Sequence, residues 1–234
     1  MGRAFEVRKQ SMAKTAAKKS KIYARYGREI YIAAKGMPDP EINIELKRIL
    51  ERARKDQVPK DVIERAIEKA KGGTGEDYTA TRYEFIGPGG SLFIVECLTD
   101  NVTRTIHEVR ACFTKTGGKS ASVLHMFEHK SVLGFTNLTE EQVLESLINN
   151  DLDVEDLETE EGQLGIISDP TLHHEIREAI LNDYPEASLE VDEITWLPIT
   201  YQKLNDEEKE QFAKLEEMLD EVDDVQNVYH NIQD

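Results

Sequence analysis

Residues 82–118 read RYEFIGPGGSLFIVECLTDNVTRTIHEVRACFTKTGG. The runs 83–86 and 92–98 are rich in β-branched and aromatic residues. Gly87-Pro88-Gly89-Gly90 lies between them, and its glycines and proline mark a tight turn, so the spacing predicts a β-hairpin. After Thr99-Asp100-Asn101 the apolar period lengthens to that of a helix, predicted over about 103–116 and stopped by Gly117-Gly118. Strand, strand and helix in so short a space form the unit of a small α+β layer, not of one doubly wound parallel sheet.

The same alternation continues toward the C-terminus. Strands are predicted near 123–128 and 132–135, a helix at 139–149, strands near 154–158 and 164–168, and a helix at 170–183. A strand near 188–197 closes at Pro198, and a helix over 206–220 precedes a last strand near 225–229. Toward the N-terminus the pattern is purely helical. Ile22, Tyr23, Tyr26, Ile30 and Ala33 form one stripe of a helix over 20–35 that ends at Gly36. Asp39-Pro40 reads as the start of a second helix that buries Ile42, Leu46, Ile49, Leu50 and Ala53. Pro59 opens a third, with Val62, Ile63, Ala66, Ile67 and Ala70 inward and Gly72-Gly73 as its stop. Three short amphipathic helices make a small bundle, and 72–80 reads as a linker.

Charge divides the chain at the same place. Net charge is −17 over 234 residues, but residues 1–71 carry 19 Lys/Arg against 10 Asp/Glu, and the remainder carries 10 against 36. A swing from +9 to −26 implies two surfaces with different roles. No apolar run reaches the roughly 18–20 residues that span a bilayer, and the basic N-terminus lacks the apolar stretch of a signal peptide. Cys97 and Cys112 are too few for a disulfide framework. A soluble, cytoplasmic protein is expected.

Reactive constellations are scarce. His125 and His129, placed on a strand, would stand about 13 Å apart, too far to share a metal. His173-His174-Glu175 lacks the second histidine of a metalloprotease helix. Gly87–Gly90 leads into a strand and has no Gly-Lys-Ser/Thr after it, so it reads as a turn and not a phosphate loop. Both cysteines read as packed, and Glu216-Glu217 and Asp223-Asp224 as solvated surface. No catalytic residue, cofactor, metal, membrane or small-molecule substrate is expected, and the protein is not expected to be an enzyme.

The basic arm does call for a partner. Arg3, Arg8, Lys9, Lys14, Lys18, Lys19, Lys21, Arg25 and Arg28 place nine cations in 28 residues. Such cations neutralise phosphates and release counterions, which binds nucleic acid with little sequence information. Phe5, Tyr23 and Tyr26 are interleaved and able to stack on bases, although helix core is the preferred reading of the tyrosines. Asn101 and Arg104, where a strand passes into a helix, form a second, lesser candidate contact, weighed against simple capping.

Many of these residues resemble the YebC/PmpR family, which includes the mitochondrial translational activator of cytochrome c oxidase. They are Ser20-Lys21-Ile22-Tyr23-Ala24, residues 27–31, Ala33-Ala34-Lys35, Pro38-Asp39-Pro40-Glu41, Val58-Pro59-Lys60, Arg65-Ala66-Ile67 and Lys69-Ala70-Lys71-Gly72. In the α+β part they are Arg82-Tyr83-Glu84, Gly87–Gly90, residues 95–101, Arg104-Thr105 and Glu108-Val109-Arg110, then Asp223-Asp224-Val225-Gln226 and Val228-Tyr229-His230-Asn231. Two features depart from the family pattern: Phe5 stands near its usual Trp, and Lys119-Ser120-Ala121 is shorter than its glycine-containing loop. The resemblance implies an N-terminal three-helix domain followed by two ferredoxin-like α+β domains, the third inserted into the second. The expected boundaries are 1–78, 79–135 with 198–234, and 136–197. It also implies a non-enzymatic role, either in ribosome-associated translation of proline-rich stretches or in DNA-binding transcriptional regulation.

Two considerations weigh between these. An acidic body is repelled by a long duplex, whereas a basic arm on it suits insertion into a confined rRNA or tRNA site of the ribosome. The turn at 55–58 would serve a helix-turn-helix, but the third helix offers Glu64 and Glu68 beside Lys60, Arg65 and Lys69, not a surface of base-reading residues. RNA and the ribosome are the preferred partner, and DNA the alternative.

Overall fold

The computed structural model describes residues 19–72, 78–160 and 162–233. Its helices are α1 (Lys19–Ala34), α2 (Ile44–Lys55), α3 (Lys60–Lys71), α4 (Val102–Lys115), α5 (Glu140–Asn149), α6 (His173–Asp183) and α7 (Asp206–Asp220). Its strands are β1 (Thr79–Ile86), β2 (Leu92–Thr99), β3 (Lys119–Ser120), β4 (Phe127–Thr136), β5 (Asp156–Glu160), β6 (Gln163–Ser168), β7 (Ser188–Pro198) and β8 (Val225–His230). They form two four-stranded antiparallel sheets, ordered β3-β1-β2-β8 and β5-β6-β4-β7. The fold is thus an N-terminal helical domain followed by two ferredoxin-like α+β domains. The whole second sheet falls in sequence between β3 and β8 of the first, which makes the third domain an insertion.

The chain separates into two compact units. One holds α1–α3 and the first sheet with α4 and α7, and the other holds residues 124–203 with 231–233. In the first unit, the helical bundle buries Ile30, Tyr31, Leu46, Leu50, Ala53, Ile63 and Ala66. Each large side chain removed from water there contributes about 1.5–3 kcal/mol before entropy is counted. The start of α2 differs from expectation. Asn43, not Asp39, is its N-cap: Oδ1 accepts from the Leu46 N–H at 3.0 Å. Nδ2 of the same residue donates to the Ala33 and Met37 carbonyls, so one side chain ties the end of α1 to the start of α2. Asp39 instead accepts from the Glu41 N–H within its own turn. Ile42 therefore precedes the helix and is 68% exposed, not part of the buried stripe.

The first sheet is held by aromatic packing. Phe85 stacks on Phe113 of α4 at 4.1 Å, and Phe93 meets the same ring edge-on at 5.3 Å. The hairpin turn requires glycine at position 89 for two reasons. Its φ is +65°, and a Cβ there would come within 2.8 Å of the Leu204 and Glu208 side chains.

In the second unit, Leu133, Phe135, Leu164 and Ile166 pack against Val143 and Leu147 of α5 and Ile176 and Ile180 of α6. Here β4 is one continuous strand, not a pair near 123–128 and 132–135. It pairs with β7 from Phe127↔Pro198 to Thr136↔Ser188, with one register shift between Gly134 and Phe135. His129, Lys130 and Ser131, which fall between the two expected strands, are polar positions within that ladder, and a short 3₁₀ turn over Leu124–Met126 precedes it. The boundary expected after residue 135 thus falls within this strand, which pairs with β6 and β7.

Candidate nucleic-acid interface

Arg3, Arg8, Lys9, Lys14 and Lys18 lie outside the described residues, and Lys19 is the first residue of α1. Lys21, Arg25 and Arg28 are spaced to share one face of α1, and that face meets the acidic exit of α7. The Lys21 ammonium donates to the Asp220 carbonyl and lies 3.8 Å from its carboxylate. Arg25 reaches the same carboxylate at 3.4 Å. Arg28 donates to the Asp223 carbonyl and lies 3.3 Å from Asp224 Oδ1. Three candidate phosphate ligands are therefore held by acids of the same unit.

Asp224 is the centre of this arrangement. Expected at the surface, it is only 3% exposed. Its Oδ2 accepts from Thr99 Oγ1 at 2.9 Å, Thr105 Oγ1 at 2.7 Å and Arg104 Nη2 at 2.7 Å. Burial pushes its carboxyl toward the neutral form, but the hydrogen bonds from Arg104, Thr105 and Thr99 prevail and hold it below the usual carboxylate range. Hydrogen bonds to Asp224 and then Asp100 in turn hold the Arg104 guanidinium firmly charged. Asn101 caps α4, accepting from the Arg104 N–H at 3.0 Å. The stretch 99–105 and the pair Asp223-Asp224, far apart in sequence, are thus joined in one polar cluster. A cavity of about 600 Å³ opens beside it, lined by Arg28, Arg104, Lys115 and Asp224.

A second cavity, of about 440 Å³, lies on the bundle, with Tyr23, Tyr31 and Tyr78 alongside Arg28, Arg65 and Lys69. Lys69 stands over the rings of Tyr31 and Tyr78, and Arg28 over Tyr78. Aromatic faces flanked by cations are what an unstacked base and its phosphate require. The tyrosines divide between two roles. Tyr26 is buried and donates to Asp56 at 2.5 Å, while Tyr23 is half-buried on the cavity wall. Sequence reading found neither Tyr78 nor Lys69 as a site residue. The alternation of tyrosine and cation along 23–31 is the trace of this cavity in the sequence.

Two further sets of reactive groups, a Ser-His-Asp series and the two cysteines, are enclosed. Ser131 Oγ lies 2.8 Å from His173 Nδ1, and His173 Nε2 lies 2.7 Å from Asp192 Oδ1. The arrangement has the residue types of a hydrolytic triad, but Ser131 and His173 are 0% and 2% exposed, so a substrate has no approach to the hydroxyl. Burial, with Asp224 and Glu96 nearby, pushes the Cys97 thiol up to about 12, and burial raises Cys112 as well. Among the described residues no three His, Cys, Asp or Glu side chains gather as metal ligands would, and no helix is long and apolar enough to cross a membrane.

Known proteins match this chain along nearly its whole length. Residues 3–73 match the model of the TACO1/YebC protein N-terminal domain, and residues 78–232 that of the TACO1/YebC second and third domain. A protein of Alteromonas mediterranea is 49% identical over 235 residues, covering 99% of this chain and 98% of its own. One of Pseudoalteromonas translucida is 51% identical over 236 residues, with the same coverage. Both bear the name probable transcriptional regulatory protein. A crystal structure of a conserved hypothetical protein from Aquifex aeolicus superposes with a TM-score of 0.78 at 35% identity, covering 94% of this chain and 93% of that one.

Proposed function

The chain belongs to the TACO1/YebC family, and on that premise we propose that it is a non-enzymatic, cytoplasmic regulator that binds RNA on the ribosome and eases synthesis of difficult, proline-rich stretches. The observation that carries the reading is the charge division, +9 over residues 1–71 and −26 over the rest. A cationic domain on an anionic body enters a phosphate-lined site while the body stays outside it. We take residues 1–78 as the binding domain. Arg3, Arg8, Lys9, Lys14, Lys18 and Lys19 are its principal phosphate ligands, Lys21, Arg25 and Arg28 assist, and Asn101 and Arg104 form a lesser contact. The tyrosine cavity supports RNA, since stacking reads unpaired bases.

The second reading, a DNA-binding transcriptional regulator, is favoured by the names of the relatives. It needs α3 as a recognition helix. There, however, Lys60 pairs with Glu64 at 3.3 Å and Arg65 with Asp61, so both cations are engaged along their own helix. Ribosome profiling beside RNA sequencing in one deletion strain separates the two. Lost ribosome progress on particular messages at constant message level, reproduced by alanine at Arg3, Arg8, Lys9 and Lys14, supports translation. Altered message levels with unchanged occupancy per message, and greater sensitivity to Lys60→Ala or Arg65→Ala, support transcription.

A further inference from the structure

A third cavity, of about 450 Å³, lies where α1 and α2 face the first sheet. Gln226 of β8 lines it and is only 6% exposed. Neither its carboxamide oxygen nor its nitrogen has a hydrogen-bond partner among the described residues, and the Thr81 hydroxyl on the same wall is in the same condition. A buried amide without partners is costly, so its presence calls for a cause. The backbone around it supplies a second observation. Val225 pairs with Cys97 and Asn227 with Glu96, so Gln226 is the extra residue of a β-bulge. Bulges of this kind re-aim a side chain, and they recur beside binding sites.

The chemistry of the walls defines what would fit. Arg48, Arg52 and Arg82 are balanced by Glu29, Glu45 and Glu96, with Arg52 bonded to Glu29 at 2.7 Å and Arg82 lying 3.6 Å from Glu96. A wall so balanced does not select an anion. Ile49 and Leu98 add apolar surface able to flank a flat ring. Among the unmet atoms on these walls are those of a carboxamide, which presents one donor and one acceptor side by side, and of a hydroxyl. A carboxamide pairs in both directions with the N6 amine and N7 of adenine, and guanidinium planes stack on bases.

We propose that this cavity is a subsite for an unpaired adenine base of single-stranded RNA, read by Gln226 with Thr81 beside it. The proposal rests on the nucleic-acid reading above and gives it a base preference. Phosphate contacts supply affinity without sequence, and Gln226 supplies discrimination.

The test uses the full chain and its Gln226→Leu and Gln226→Glu variants, with labelled oligo(A) and oligo(U) of equal length followed by fluorescence anisotropy at fixed salt. The expected result is about tenfold tighter binding of oligo(A) by the native chain. Both variants should abolish the preference, bringing oligo(A) down to the level at which the same variant binds oligo(U). Gln226→Leu should fold with an equal or higher Tm, because it replaces an unpartnered buried amide with an apolar group. Adenosine monophosphate is then added as competitor. Displacement of oligo(A) shows that the free nucleotide suffices, and failure to displace it shows that the base must arrive on a strand; either supports the subsite. Equal binding of oligo(A) and oligo(U) by the native chain, or a preference that survives both substitutions, overturns the subsite alone. Binding of neither strand overturns the nucleic-acid reading with it.

Discussion

Arg28 Nη1 of the first helix lies 3.3 Å from Oδ1 of Asp224, the residue before the last strand, so a carboxylate near the C-terminus joins the helical bundle to the first sheet. Because Asp224 also accepts from Thr99, Thr105 and Arg104, its charge is satisfied from three elements at once, α1, β2 and α4. Asp224→Asn should cost about 1.5–3 kcal/mol in urea denaturation at neutral pH, the range for a buried hydrogen bond to a charged group. Arg104→Ala should cost less, since its side chain is 44% exposed and both threonines still serve the carboxylate. The effect has a defined pH dependence. The carboxyl titrates lower in the folded chain than in the unfolded one, where it titrates near 3.9. Its stabilisation is therefore complete above about pH 5 and fades as pH falls through 4 and below. The stability gap between native and Asp224→Asn chains should close over that interval, and a gap that persists undiminished in acid would exclude ionisation as its source.

Gly89→Ala should destabilise by more than about 1 kcal/mol, because the turn holds φ at +65° and the new methyl would press on Leu204 and Glu208. Gly90→Ala shares the strain, at φ +80°, but has nothing within 4 Å of its Cβ. Thermal unfolding of the two variants separates backbone strain from collision. Equal losses would show that the contact with α7 is slack.

What the sequence disclosed and what it hid follow one physical division. The bundle, the hairpin and α4 were legible because their signals are local: Pro59 before α3, the apolar period, Gly87–Gly90 between two β-branched runs. The start of α2 misled because Asp39 and Asn43 are both capping residues, and only the bonds of Asn43 to Ala33 and Met37 decide between them. The cations of α1 were legible as charge, but not as ion pairs, since Asp220 and Asp224 are distant in sequence. Asp224 itself was hidden for the same reason. In the run Glu221-Val222-Asp223-Asp224 nothing separates a solvated carboxylate from one enclosed by partners more than a hundred residues away. Gln226 carried a family resemblance but no sign of a site, because a bulge appears only once the register of β2 and β8 is known.

Ser131, His173 and Asp192 should prove structural. Ser131→Ala removes the partner of a buried imidazole nitrogen and should cost about 1–3 kcal/mol of stability. Nucleic-acid affinity, measured well below the melting temperature, should be unchanged. Loss of binding by a variant that remains fully folded at the assay temperature would assign the network a role that its burial argues against.

The pairing of α1 with α7 leads to a prediction about salt. Asp220 holds both Lys21 and Arg25, and its own side chain is 41% exposed, so the contact is a surface one worth at most about 1 kcal/mol. Asp220→Ala should therefore leave stability nearly unaltered while releasing Arg25, with Lys21 still held by the main-chain carbonyl of residue 220. If that face of α1 meets RNA, the released Arg25 adds one phosphate contact. The log–log dependence of RNA affinity on salt should then steepen by about 0.7, the value per contact on a single strand. The triple substitution Lys14→Ala, Lys18→Ala and Lys19→Ala should act in the opposite direction, flattening the slope by up to about 2 on the same scale. Measuring both in one salt titration distinguishes two distributions of charge. A steeper slope in Asp220→Ala places α1 in the interface, with the acids of α7 competing against the RNA for its cations. An unchanged slope in that variant, alongside a flatter one in the triple variant, assigns Arg25 to holding the fold and leaves phosphate binding to the residues at and before the start of the helix.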